Sequence, residues 1–171
     1  MNPIPDEIQI RDARESDATA IAGIYNPFVE SSIVTFEEQP VSPDEIARRI
    51  RNVQEASLPW IVALAGERLV GYAYATPWRP RSAYRFSVEL SIYISPDFFR
   101  RGIGSRLYAA LIPALKRKGV RTLLGGVALP NPASVGMLER AGFEKVAHLR
   151  EVGYKLGQWI DVAYWQRKLP D

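Results

Sequence analysis

Residues 85–119 read RFSVELSIYISPDFFRRGIGSRLYAALIPALKRKG. Apolar and polar residues alternate up to Ile94, Pro96 breaks the pattern, and beyond Gly102 the apolar residues recur with helical spacing. A strand that passes to a helix through one short basic turn calls for a layered domain. Strand and helix each have an apolar side, and each buries it on the other.

The remaining segments extend that layer. Residues 8–13 (IQIRDA) alternate as a strand. Residues 15–29 place Ala18, Ile21, Ala22, Ile24, Tyr25 and Phe28 on a helical face, with Ser16 as the expected cap. Ser42, Pro43 and Glu45 form a helix-start signature ahead of Ile46, Ile50 and Val53. Residues 60–75 read as two strands around Gly66, and 121–129 as another strand. A helix over 102–119 closes at Gly119 and contains Pro113, which is expected to bend or loosen it. A helix over 131–142 starts at Asn131 and ends at Gly142, and two strands over 143–169 turn at Gly157. The order β-α-α-β-β-β-α-β-α-β-β predicts one α/β (α+β) domain over 1–171 with a central mixed sheet.

Composition removes several functions. The 171 residues can bury roughly 70% of their unfolded-state surface, enough for a core without staples. There is no cysteine, hence no disulfide and no thiolate nucleophile or ligand. His148 is the single histidine, so a multi-imidazole metal site is out, and no metal is expected. His148 itself reads as a surface or satisfied imidazole. No apolar run reaches the roughly 18 residues of a spanning helix, and MNPIPDEIQI lacks the apolar core of a signal peptide. The expected compartment is the cytoplasm. A formal charge of +3 suits a small anionic ligand at least as well as a nucleic acid.

Two features of the 85–105 unit carry chemistry. By alternation, Phe86, Val88, Leu90, Ile92 and Ile94 face the core, while Ser87, Glu89, Ser91 and Tyr93 face a polar side. Glu89 is then either a solvated or arginine-paired carboxylate on a wet sheet face, or a desolvated general base in a cleft. The turn is not a dinucleotide fingerprint, because Arg106 and Leu107 occupy the region of the third glycine. It is not a P-loop either, since Gly-Lys-Ser/Thr is absent. What remains is a glycine-started helix with basic neighbours. Either it receives an anion on its backbone N–H groups, or its arginines are merely solvated.

The combination of strand, xxGxG turn, helix and strand, followed by Asn131, Ser134, Met137, Leu138, Gly142 and Phe143 in an NxxSxxML…GF pattern, resembles the GCN5-related N-acetyltransferase superfamily. IYNPFVESSIVTFEEQPVS, PWIVA, GYAYATPWRPRSAYRFSVELSIYISP and GYKLGQWIDVAYWQ resemble its phosphinothricin and methionine sulfone/sulfoximine acetyltransferase branch. The resemblance implies acetyl-CoA as cosubstrate. Arg100, Arg101, Gly102, Ile103, Gly104 and Ser105 are implied to cradle its pyrophosphate. Ile92, Tyr93 and Ile94 are implied to pair their backbone with its pantetheine arm, and Asn131 to touch it further along. Phe99 stands where the family has Gln or Arg; the family contact is largely backbone, so binding is expected to survive.

The implied chemistry is direct acetyl transfer to a primary amine. An α-amino group has a pKa of about 8, so most of it must lose a proton before attack. Glu89 matches the family base, acting through a water. A backbone N–H near Ile92 is the candidate donor to the carbonyl oxygen. Leu138 replaces a family Tyr or His that protonates the leaving thiolate; a thiol pKa of about 8.5 makes departure without an acid tolerable. Tyr108 is a candidate substitute. Arg79, with its neighbours Arg81 and Tyr84, is implied to hold the acceptor's acidic groups, and Phe36 and Trp78 to line its pocket. Leu90 takes the place of a His or Ser, implying altered specificity.

Two rival readings differ in class, and a third lies within it. A nucleic-acid module would need one continuous basic and aromatic face, which the alternation of this strand does not supply. An acyl-CoA sensor would keep the cradle without chemistry. An acetyltransferase of peptide N-termini or polyamines would fit the fold, although an arginine-rich acceptor loop disfavours a polycation. A small-molecule amine, no nucleic acid, no membrane and a homodimer are the expected partners. Trp159, Tyr164 and Trp165 are expected in the core or a subunit contact.

Overall fold

The computed structural model describes residues 7–170. Residues 1–6, part of the segment read above as no signal peptide, lie outside them. The elements are β1 (Ile8–Asp12), α1 (Ala18–Ser31), α2 (Pro43–Glu55), β2 (Trp60–Ala65), β3 (Arg68–Pro77), β4 (Ser87–Ile94), α3 (Ile103–Arg117), β5 (Thr122–Leu129), α4 (Pro132–Arg140), β6 (Glu144–Lys155) and β7 (Gln158–Lys168). The seven strands form one sheet in the order β1-β2-β3-β4-β5-β7-β6. Only β4 and β5 are parallel, since α3 carries the chain back between them.

Local chemistry sets the element ends. Ser42 Oγ accepts from the Glu45 N–H at 3.2 Å with Pro43 in the first turn, a cap worth about 1 kcal/mol. Ser16 does not cap α1 as expected. A 3-10 turn at Glu15–Asp17 precedes the helix, and Asp17 occupies the cap position. Its carboxylate is held by Arg11 through two bonds of 2.8 Å and by the Arg14 N–H at 2.7 Å. Pro113 stays inside a continuous α3.

Helices cover both faces of the sheet. Val88, Leu90, Leu107, Leu111, Leu123 and Leu138 belong to a core beneath α3 and α4. Ile21, Tyr25, Ile50, Val62 and Tyr72 belong to a second core beneath α1 and α2. Two expectations for β4 need correction. The side carrying Tyr93 is no open polar face, because Tyr93 packs edge-on against Tyr25 at 5.0 Å and stacks on Tyr72 at 5.5 Å. Phe86 precedes the strand, is 45% exposed, and lies beneath the Arg85 guanidinium instead of in the core.

Candidate active site

The parallel pairing of β4 and β5 ends at Glu89 and Leu124. From Leu90 to Ile94, β4 continues to pair with β3, and from Gly125 to Leu129, β5 continues to pair with β7. The sheet therefore splits along one seam, leaving an edge of each strand facing a gap. Ile92, Tyr93 and Ile94 lie on that edge. Their side chains are engaged in the two cores, so the main chain is what they can offer a ligand.

Glu89 stands at the closed end of the seam. Burial pushes its carboxyl above the ordinary glutamate value, and the charge of Arg79 pulls it partway back. Oε1 occupies space over Gly126: a Cβ there would lie 2.8 Å from it and 3.0 Å from Cε1 of Tyr164. Tyr164 meets Trp78 edge-on at 5.2 Å, and the Arg79 guanidinium lies over Trp78 at 5.0 Å. Burial and the Glu89 charge raise the Tyr164 hydroxyl pKa. Glu89, Arg79, Trp78, Tyr164 and Gly126 thus cluster at this end of the seam. Tyr74 reaches the edge of this cluster, bonded to Ser91 and sensing the Glu89 charge.

At the far lip of β4 the chain turns sharply into α3. Phe98 is 2% exposed and anchors the turn, flanked by the guanidinium groups of Arg68 and Arg101, each 5.1 Å from its ring. Arg100 and Gly102 both adopt left-handed backbone, with φ of 62° and 73°. No side chain caps α3, so its first-turn N–H groups stay available for an anion, where the helix dipole attracts negative charge. Gly104 admits no side chain, because a Cβ would collide with Met137 Sδ from α4. Beside this turn a groove of about 300 Å³ runs between α3 and α4, bordered by Ser105, Tyr108, Met137, Arg140 and Arg167.

Other expected site residues are placed differently from one another. Asn131 follows β5, and its Oδ1 accepts from the Ser134 N–H at 3.1 Å as the cap of α4, which leaves its amide nitrogen for a ligand. Leu138 packs on Gly125, where a Cβ would lie 2.7 Å from it. Tyr108 is 6% exposed, packs on Phe143, and has its pKa raised by burial. Arg81 and Tyr84 sit on an exposed turn on the loop that carries Arg79. Phe36 is 42% exposed with its ring against Gly153. Leu90 is the plain correction. It is 5% exposed in the α3 core, on the opposite face from Glu89, because adjacent strand residues point to opposite sides. It cannot meet an acceptor.

Sequence reasoning missed Tyr164, Gly126 and Tyr74. For Gly126 the Gly125-Gly126 pair inside a strand was the available signal, since interior strand glycines mark close approach. Among the described residues no helix is long and apolar enough to cross a membrane. His148 lies on the exposed part of β6 with Nε2 2.7 Å from Asp161 Oδ2, outside the Glu89 cluster.

A split mixed sheet, a desolvated carboxylate where the split begins, and an uncapped helix start at its lip together make the architecture of an enzyme that moves a group from an extended anionic carrier. Residues 10–164 match the acetyltransferase (GNAT) domain, and the chain belongs to that family; it is an N-acetyltransferase. It is 41% identical over 161 residues to a phosphinothricin N-acetyltransferase of Alcaligenes faecalis, covering 94% of this chain and 82% of that one. It is 33% identical to an L-methionine sulfoximine/L-methionine sulfone acetyltransferase of Pseudomonas aeruginosa, covering 94% of each. A phosphinothricin acetyltransferase from Sinorhizobium meliloti, solved in complex with acetyl-CoA, superposes with a TM-score of 0.91 at 36% identity, covering 95% of this chain and 88% of that one.

Proposed function

We propose that this protein transfers acetyl from acetyl-CoA directly to the α-amino group of a small amino acid or analogue. Phosphinothricin, methionine sulfone and methionine sulfoximine are the proposed acceptors. The observation that carries this reading is the position of Glu89, desolvated at the closed end of the seam with Arg79 and Trp78 beside it.

The turn at 100–105 holds the pyrophosphate through backbone N–H groups, with Arg100 and Arg101 adding charge. Groove residues Ser105, Arg140 and Arg167 suit the nucleotide end of the same molecule. The pantetheine arm enters the seam and pairs with the free edge of Ile92–Ile94. Asn131 contributes its amide nitrogen.

Arg79, with Arg81 and Tyr84 on the same loop, draws the acceptor's acidic group, and Trp78 and Phe36 give it apolar walls. The amine binds in its neutral form, having given one proton to solvent, and Glu89 takes its second proton through a water as the nitrogen attacks. The amine nitrogen bonds to the thioester carbonyl carbon, an N–H near Ile92 supports the oxygen, and the C–S bond breaks. The sulfur leaves as thiolate, since Leu138 has no proton to give.

The whole stretch 1–171 is taken as one acetyltransferase domain acting in the cytoplasm, where it would detoxify such analogues. The exposed apolar side chains of β6 and β7 support a homodimer. The test is Glu89→Gln in a thiol-release assay with these acceptors. Turnover should fall about 10²- to 10⁴-fold while acetyl-CoA affinity holds. Unchanged turnover would mean a different base. Wild-type silence on all three acceptors, with activity on a peptide N-terminus or a polyamine, would reject the acceptor class.

A further inference from the structure

Lys155 is the one lysine among the buried polar residues, 3% exposed at the end of β6. It belongs to the GYKLGQW stretch, to which the chemistry above gives no part. Burial lowers the pKa of its ammonium, with the charges of Glu38 and Glu37 opposing. Its Nζ donates to the carbonyl oxygen of Thr35 at 2.8 Å, a contact spanning 120 residues of chain. Two positions earlier, Gly153 receives the Phe36 ring so closely that a Cβ would overlap it. The other side of the same segment is tied down as well. Tyr25 Oη and Thr35 Oγ1 stand 2.6 Å apart, and Arg49 bonds Glu37 at 2.6 Å.

We infer that Lys155 is a positioning residue for the acceptor pocket, latching the β6–β7 hairpin to the Thr35 carbonyl so that Phe36 is seated on Gly153. A long, desolvated cation on one carbonyl oxygen gives a charge-assisted bond at a place where no other backbone ladder joins the two segments. Without it, the hairpin and the segment carrying Phe36 are free to part, and the wall that Phe36 offers loses its place. The inference rests on the reading of Phe36 as a pocket wall.

The test separates the two. In Lys155→Met, amide hydrogen exchange over residues 32–41 should quicken about tenfold or more, while peptides from β4 and the start of α3 keep their rates. Lys155→Arg, which retains a charged donor, should restore most of the protection. Exchange over 32–41 unchanged in Lys155→Met overturns the latch whatever the acceptor is. For activity, phosphinothricin is the probe. Lys155→Met should raise its KM about tenfold with the KM for acetyl-CoA unmoved and kcat little changed. Gly153→Ala, which leaves the Lys155 bond intact but pushes on the Phe36 ring, should raise the same KM, and Lys155→Gln, which removes the charge, replaces Lys155→Met should that variant fail to fold. If Phe36→Ala leaves that KM alone while exchange responds as expected, the pocket reading fails and the latch stands. If Phe36→Ala raises the KM and Lys155→Met does not, the positioning role is refuted.

Discussion

Glu89 and Gly126 occupy a single space at the closed end of the seam. The carboxylate of Glu89 lies where a side chain at 126 would be, with its Oε1 2.8 Å from that Cβ position. The register of β5 on β7 sets Gly126 opposite Tyr164, whose ring closes the other side. Glycine is required at 126 for this close approach, and the backbone there needs no unusual conformation. The Glu89 carboxylate is therefore held by what β5 lacks.

Gly126→Ala should accordingly displace Glu89 and leave the anion turn alone. A shift of the base by about 1 Å lowers kcat on the order of 10²-fold. Acetyl-CoA affinity, measured by calorimetry, should stay within about twofold, because residues 100–105 lie at the other lip of β4. A kcat close to that of the parent protein would mean that the carboxylate has freedom to move that the geometry denies it.

The pH dependence follows from Glu89 and Arg79. A general base works only when deprotonated, so kcat/KM falls as pH drops through its pKa. Burial raises that pKa, and Arg79 lowers it. Arg79→Met removes the lowering influence, so the acid limb of the profile should move to higher pH. The acceptor KM should rise as well, but that change is separable because it scales the whole profile without moving its midpoint. An acid limb that stays put, or moves down, would remove Arg79 from the neighbourhood of the base.

The strand–turn–helix unit was legible because its signals are local. Period-two alternation placed Glu89 on the face opposite Val88 and Leu90, and the Ser42-Pro43-Glu45 start of α2 stands as read. The same alternation already excluded Leu90 from Glu89's side, and the resemblance drew it there regardless. Ser16 lost the cap position to Asp17, because Arg11 on β1 takes the Asp17 carboxylate and a 3-10 turn fits ahead of the helix. Tyr164 and Lys155 were beyond reach for a different reason. Their neighbours Glu89 and Thr35 are set by sheet order and by the fold of one hairpin, contacts that no local pattern encodes. Covered faces are equally hidden: only the packing of α1 and α2 turns the Tyr93 side of β4 into a core.

The last prediction concerns the edge of the sheet. Val146, Leu149, Val152, Tyr154, Leu156 and Trp159 are 44–64% exposed on β6, β7 and the turn between them, with Trp159 the most open. Tyr154 and Trp159 pair across the hairpin with ring centroids 5.1 Å apart, which stiffens the apolar surface before any partner arrives. Apolar side chains gathered on an edge hairpin are stable in water when a second surface covers them, and a two-fold dimer covers both copies at once. Sedimentation should give twice the 19.2 kDa chain mass for the parent protein and a single chain mass for Trp159→Glu. The charged variant must desolvate a carboxylate to associate, whereas its fold loses only the cross-strand pair with Tyr154, worth about 1 kcal/mol or less. Thermal unfolding extrapolated to low protein concentration should therefore be nearly the same for both. A parent protein sedimenting as one chain at micromolar concentration would exclude this surface as a dimer interface.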